Sequence, residues 1–402
     1  MTEEAYIYEA IRTPRGKGSK RGSLHEVRPV TLVKGLLEEL QSRLDLDTQR
    51  VDDVMLGCVG PVGEQGGDVP KSAVEMAGWD VSVPAAQLHR FCASGLDTVN
   101  LAAMKVRSGW GDLVVAGGFE SMSRVSIAAH GDAWLNDPDI SSGSKTLLMG
   151  VAADLVATLD GYSREAVDAY ALASQQRAAH AQDNGYFDRS VVPVYDDNGV
   201  LILNRDEYLR SNTSLEQLAD LAPAFEPFGK MGYADRAISK FPQLDRLNHV
   251  HTAGNSSGIV DGASVVLVGS ERAGKDLGLI PRGRIAACAM TATDPTLMLA
   301  GPGPASLKCL VQAGMTTADI DLFEINEAFA SVVLRYMKDM DISHDVTNVN
   351  GGAIAMGHPL GATGGMLVST MLDELERSDK KRALLSLCVG GGMGIATIIE
   401  RV

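Results

Sequence analysis

Short apolar runs of strand length alternate along this chain with stretches whose apolar positions recur every three to four residues. Residues 6–10 read as a strand, Pro29–Leu44 as an amphipathic helix and 53–59 as a strand. Residues 96–108 read as a helix and 112–116 as a strand. The last third repeats the rhythm: strand 284–290, helix 305–313, strand 321–325, helix 364–376, strand 382–388. Strands that alternate with helices in this way predict a parallel sheet covered by helices, the α/β class.

The two ends of the chain also match each other. Cys92-Ala93-Ser94-Gly95, a helix, and a strand running into Gly117-Gly118 stand in the first. His358-Pro359-Leu360-Gly361, a helix, and a strand running into Gly390-Gly391 stand in the second. Val54 and Leu322, Cys92 and His358, Gly117 and Gly390 are each about 270 residues apart. A near-constant offset at three landmarks predicts a duplicated unit. Residues 1–121 form the first half, 250–275 its return, and 276–402 the second half. Between them, 122–249 is too long for a bare loop and reads as an inserted subdomain. It holds a helix from a Ser163 N-cap through 182 and a hairpin signal at Asp197-Asn198-Gly199.

Composition narrows the function. Of 402 residues, 36 are Lys or Arg and 51 Asp or Glu, a net charge of −15 without a long basic stretch. That disfavours a nucleic-acid partner, which needs cations to neutralise phosphates. No run of 18 apolar residues is present, so no transmembrane segment is expected. The acidic start of the chain lacks the pattern of a secretory signal. Five widely spaced cysteines, Cys58, Cys92, Cys288, Cys309 and Cys388, without C-x-x-C, fit a reduced cytoplasmic protein better than a disulfide or zinc scaffold. The pair His249-x-His251 lacks further ligands nearby, so no metal site is expected.

Four places carry candidate chemistry. Cys92 stands at a predicted helix start, where free N–H groups favour a thiolate; the alternative is a buried Cys acting as a small hydrophobe. His358 lies in residues 350–365, six of which are Gly, with Pro359 behind it as a first helical residue. A phosphate-cradling loop competes with that reading, but the P-loop lysine is missing. At Cys388-Val389-Gly390-Gly391-Gly392 a strand ends in free backbone N–H groups suited to an oxyanion. Asn326, just after a strand, either holds a water or substrate oxygen or caps a helix. Strand ends and helix starts are where open α/β sheets bind ligands.

These residues resemble the thiolase family over essentially the whole chain. The resemblance rests on Cys92-Ala93-Ser94-Gly95, Asn326-Glu327-Ala328-Phe329, Gly357-His358-Pro359 and Cys388-Val389-Gly390, in family order. Thr252-Ala253-Gly254-Asn255-Ser256-Ser257-Gly258 and the region from Ser163 to Leu172 also match. Gly57-Cys58-Val59 and Gly66-Gly67-Asp68 look most like thiolase subunits of bacterial β-oxidation complexes.

The resemblance implies a five-layered α-β-α-β-α fold of two βαβ halves, and a CoA-dependent acyltransferase. Cys92 would attack the 3-keto carbon of a 3-ketoacyl-CoA, and Cys388 would protonate the departing acetyl-CoA enolate. His358 would activate Cys92 and, with a water held by Asn326, stabilise the first oxyanion. The N–H groups of Cys92 and Gly390 would form the second oxyanion hole. Ser257 and Met149 would line the pantetheine channel with Ala328 and Phe329, and Met298 the acyl end. Coenzyme A would be a co-substrate, with no cofactor bound permanently. A homodimer or larger oligomer is implied, with a hydratase–dehydrogenase subunit as a candidate partner. Leu148 stands where acetoacetyl-CoA enzymes of the family often carry His, which predicts a longer acyl substrate. The alternatives are an acetoacetyl-CoA thiolase run in the condensation direction and a non-catalytic CoA-ester-binding subunit.

Overall fold

The computed structural model describes residues 3–129, 131 and 133–402. In the first half, β1 (Tyr6–Arg12) leads to α1 (Pro29–Leu44), then β2 (Asp53–Gly57), β3 (Ala85–Leu88), α2 (Ser94–Arg107) and β4 (Leu113–Ser121). The chain then leaves the sheet and returns as β5 (Val260–Gly269). Within the excursion, α3 (Met149–Asp160) and α4 (Arg164–Asp183) are its longest helices among the described residues. The second half contains β6 (Gly283–Ala292), α5 (Pro302–Ala313), β7 (Leu322–Ile325), α6 (Ala330–Met340), α7 (Thr363–Arg377), β8 (Arg382–Val389) and β9 (Met393–Arg401).

Each half pairs its strands in the same way. β2 runs parallel to β3 and β4, while β5 is antiparallel to β4 and β1. Correspondingly, β7 is parallel to β8, and β9 is antiparallel to β8 and β6. A single parallel bridge between Phe323 and Thr347 stands where the first half has β3. Two residue pairs, Tyr6 with Arg284 and Ile7 with Gly283, join the halves along β1 and β6. The strand order is β7-β8-β9-β6-β1-β5-β4-β2-β3.

Burial explains the layers. α1 starts on Pro29 at its first turn and buries Leu32, Val33, Leu36, Leu37 and Leu40 against the outer face of the first half. α5 and α6 do the same for the second half through Leu310, Val333 and Tyr336. α2 and α7 lie between the two sheet halves, packed on each other through Leu96, Val99, Leu367 and Met371. The sequence is therefore α-β-α-β-α. Only glycine permits so close a central contact: a Cβ on Gly364 would sit 2.0 Å from the Leu96 nitrogen, and one on Gly118 2.0 Å from the Gly361 oxygen.

The boundaries differ slightly from the periodicity. β4 continues to Ser121 and β6 spans Gly283–Ala292, because each keeps its backbone pairing with a neighbouring strand to its end. The chain re-enters the sheet at Val260 rather than near residue 250. Residues 250–258 are instead held as a loop: Val250 and His251 donate to Asp154 of α3, Ser257 donates to the Ala328 carbonyl, and Gly258 to that of Ala353. The hairpin forms from Val194–Tyr195 and Leu201–Leu203, with the Asp196 carboxylate accepting from the N–H groups of Asn198 and Val200 across the turn.

Candidate active site

The loops at the carboxyl ends of β3, β7 and β8 and the start of α7 converge beneath the excursion. Cys92 follows β3 in a tight turn whose preceding residue, Phe91, has φ +45°, a left-handed conformation unusual for a bulky residue. The Phe91 carbonyl accepts from the Ser94 N–H at 2.9 Å and from the Ser94 hydroxyl at 2.6 Å. Gly390 lies against this elbow, since a Cβ there would come 3.0 Å from the Phe91 ring.

Cys92, Met149, Met298 and Gly390 line one cavity of about 590 Å³, together with Leu148 and Phe228. The N–H groups of Cys92 and Gly390 both reach the Cys92 sulfur. That places two donors where an oxyanion on an acyl-sulfur would form. Burial nevertheless pushes the Cys92 thiol up to about 12, outweighing those donors. The helix begins only at Ser94, so its start does not supply a resting thiolate, contrary to the expectation from position. A base has to take the proton.

His358 is the candidate for that base. It is 3% exposed, and burial first, then the Arg15 guanidinium, pushes its pKa down to about 3, so the ring is neutral. Its Nδ1 lies 2.6 Å from Thr363 Oγ1, and the Thr363 hydroxyl donates to the Pro359 carbonyl at 2.9 Å. With that hydrogen used, Thr363 Oγ1 accepts from Nδ1–H, which makes Nε2 the acceptor nitrogen of the ring. The Asn326 side-chain nitrogen is 3.3 Å from Nε2, and its Oδ1 is buried without a partner. Cys388 is fully buried, and burial, followed by the nearby Cys92, raises its thiol well above the usual range. It packs in one apolar cluster with Met298, Ala328 and Phe329. Ser257, Ala328 and Phe329 do not line the Cys92 cavity. They form an adjoining wall, in which Ser257 N–H donates to the Ala328 carbonyl and Gly258 C=O accepts from His358 N–H at 2.9 Å.

Several residues outside the candidate catalytic set hold these loops. Glu120, 3% exposed, accepts from the N–H groups of Val59, Gly60 and Gly361 and from the Gln65 amide at 2.9–3.0 Å. It thereby fixes the loops that carry Val59 and Leu360, which pack on Cys92. Its only sequence signal is a lone acid at the end of an apolar strand. Glu327 accepts from Tyr170, Ser174, Asn348 and the Ile354 N–H, which locks the loop that presents Asn326. His249 and His251 each place Nδ1 on Asp154, at 2.6 and 2.8 Å. Among the described residues no group of three or more His, Cys, Asp or Glu side chains is arranged to hold a metal.

Known proteins resemble this chain along its whole length. Residues 5–272 match the family model "Thiolase, N-terminal domain" and 279–401 "Thiolase, C-terminal domain". The chain is 38% identical to a 3-ketoacyl-CoA thiolase of Cronobacter sakazakii, over all of both chains. It is 39% identical to a 3-oxoadipyl-CoA/3-oxo-5,6-dehydrosuberyl-CoA thiolase of Escherichia coli, covering 99% of this chain and 100% of that one. The crystal structure of the Bacillus anthracis acetyl-CoA acetyltransferase superposes with a TM-score of 0.86 at 33% identity, covering 100% of this chain and 99% of that one.

Proposed function

This chain belongs to the thiolase family, and we propose that it is a 3-ketoacyl-CoA thiolase whose acyl groups are apolar. The observation that carries the choice of substrate is the cavity over Cys92. Among the described residues no charged side chain lines it; Asn136 and Thr146 are its polar side chains besides the thiol. The remote carboxylate of a 3-oxoadipyl group would be desolvated there without a partner, at a cost of several kcal/mol. An alkyl chain gains about 0.8 kcal/mol per buried CH₂ instead.

In the proposed reaction Cys92 Sγ attacks the 3-keto carbon while its proton passes to His358 Nε2. The resulting imidazolium and the Asn326 side chain stabilise the alkoxide. The C2–C3 bond breaks, and Cys388 gives its proton to C2 of the acetyl-CoA enolate. Free CoA then enters and Cys388 thiolate takes its thiol proton. The CoA sulfur attacks the acyl-Cys92 carbonyl, whose oxygen meets the N–H groups of Cys92 and Gly390. Cys92 leaves and regains its proton from His358.

Ser257, Ala328 and Phe329 would flank the pantetheine arm. A groove of about 480 Å³ beside Ala253 and Gly254, with Arg210 stacked on Tyr208 at 5.3 Å, is our candidate for the phosphate-bearing end of CoA. All five cysteines are free, which fits a reducing cytoplasm. No helix among the described residues is long and apolar enough to cross a membrane.

The test is CoA-dependent loss of enolate absorbance across a chain-length series that starts at acetoacetyl-CoA and includes 3-oxoadipyl-CoA. We expect kcat/KM to rise beyond four carbons and to be on the order of 10²-fold lower for 3-oxoadipyl-CoA. Activity confined to acetoacetyl-CoA, or a preference for the dicarboxylic substrate, rejects the reading.

A further inference from the structure

The cavity over Cys92 is closed at one end and open at the other. Cys92 and Met298 are 3% and 4% exposed, whereas Ala128 and Asn136 face solvent and Ile127 and Phe228 are 48% and 38% exposed. Apolar surface left in water contributes binding free energy when another apolar group covers it. Phe228 is held at this rim from both sides by α3, the helix whose first residue, Met149, lines the same cavity. On one side the Phe225 ring fills the space over Gly150, where a Cβ would sit 2.2 Å from it. On the other side the His249 ring lies on Gly229, where a Cβ would sit 2.4 Å from Nε2, and His249 Nδ1 reaches Asp154 Oδ2 at 2.6 Å. The Gly229 N–H donates to the Phe225 carbonyl at 3.0 Å, which closes residues 225–229 into one turn. Gly150 and Asp154 are about one helical turn apart, so one stretch of α3 carries both anchors. A ring already held in this way loses little freedom when a ligand covers it.

We propose that Phe228 is a specificity-determining residue: the tail of a long-chain acyl group on Cys92 leaves the cavity at its open end, and the Phe228 ring is the surface on which the distal part of that tail lies. The inference rests on the acyl-transfer reading above and names its substrate class, long-chain 3-ketoacyl-CoA. A closed pocket would set an upper limit on chain length through its end wall. Here the end opposite Cys92 is a rim of exposed side chains, so a longer tail meets apolar surface and then solvent instead of a wall. The residues assigned above to the pantetheine arm, Ser257, Ala328 and Phe329, do not line this cavity, which leaves its open end to the acyl group. Of the two large apolar side chains at the rim, Phe228 offers the flat aromatic face and is the one anchored to α3 on both sides. A short acyl group stays near Cys92 and does not reach it.

Phe228→Ala removes the ring from a partly exposed position, where truncation leaves no closed void. The quantity to measure is kcat/KM for 3-oxohexadecanoyl-CoA divided by that for acetoacetyl-CoA. In Phe228→Ala this ratio should fall ~10-fold. The loss should lie in KM for the long substrate, because a contact remote from the reacting carbons is made equally in the ground and transition states. Phe228→Leu keeps an apolar cover and should recover most of the ratio. Equal losses for both substrates would mean that Phe228 meets the pantetheine arm common to them, or acts only on the fold, and overturn the proposal. So would an unchanged ratio, or a ratio that rises, which would make Phe228 an end wall. A second measurement needs no turnover: calorimetric titration of hexadecanoyl-CoA and acetyl-CoA into Cys92→Ala, with and without Phe228→Ala. The added substitution should weaken hexadecanoyl-CoA ~10-fold more than acetyl-CoA, and equal weakening overturns the proposal. If thiolysis is not observed, or is confined to acetoacetyl-CoA, the proposed function fails, and the titration still decides on Phe228.

Discussion

The two thiols of the proposed reaction, Cys92 and Cys388, have different surroundings. Cys92 opens onto the cavity and has two backbone N–H groups at its sulfur, whereas Cys388 is fully enclosed at the end of β8. With a simple acyl-CoA and no free CoA, an acyl adduct should accumulate on Cys92 alone. Cys92→Ala should lose both adduct and turnover. Cys388→Ala should keep the adduct and lose ~10²- to 10⁴-fold in thiolysis, the usual contribution of a general acid–base. Peptide mapping after an acid quench decides it; an adduct on Cys388 would reverse the roles. Thr363 is a second residue whose effect is specific. Thr363→Val removes the acceptor for His358 Nδ1–H, so the ring loses both its tautomer and its orientation. We expect kcat to fall on the order of 10²-fold with the fold intact, and Thr363→Ser to recover most of it. Equal kinetics for Thr363→Val and wild type would show that Pro359, Asn326 and packing suffice to orient the imidazole.

Secondary-structure elements owe their placement to two kinds of glycine, and these respond oppositely to the same change. Gly364 in α7 meets the backbone of α2, with a Cβ position 2.0 Å from Leu96 N and 2.7 Å from Gly95 C. Backbone cannot give way as a side-chain tip can, so Gly364→Ala should separate the central helices. We expect a loss of ~1–3 kcal/mol or more, read as a lower denaturant midpoint. Gly35 in α1 has nothing within 4 Å of its Cβ position. Gly35→Ala should instead stabilise by ~0.5–1 kcal/mol, through a less flexible unfolded chain and better helix propensity. A stabilised Gly364→Ala variant would mean that the central helices are not in the contact described.

Across the whole molecule, the two halves would supply different parts to the proposed reaction. The first half brings Cys92, the second brings Asn326, His358 and Cys388, and the excursion roofs the cavity with Leu148, Met149 and Phe228. β3 forms one end of the strand order, and its four residues are only half-buried. An unpaired edge of this kind invites pairing with another chain, which supports the proposed homodimer or larger oligomer. Light scattering coupled to size-exclusion chromatography should give at least twice the chain mass. A monomer at micromolar concentration would reject self-association and leave the edge for a different partner, such as the proposed hydratase–dehydrogenase subunit.

What could be read from the residues in order was whatever depends on near neighbours. α1 was readable to the residue because Pro29 starts it and its apolar face recurs at helical spacing. The duplication was readable because the two halves keep the same pairing order at a nearly constant offset. The glycine-rich turns at His358 and Cys388 stood out because such backbone has few purely structural uses. Charge states were not readable in this way. A thiol before a helix reads as activated, but burial by residues from both halves raises Cys92 to about 12. The partners that set the site are equally remote: Glu120 and Gly361 are 241 positions apart. Local pattern specifies which backbone conformation each segment prefers, because propensity and periodicity act within a few residues. Desolvation and hydrogen-bond partnership depend on which segments are brought together, and packing alone settles that.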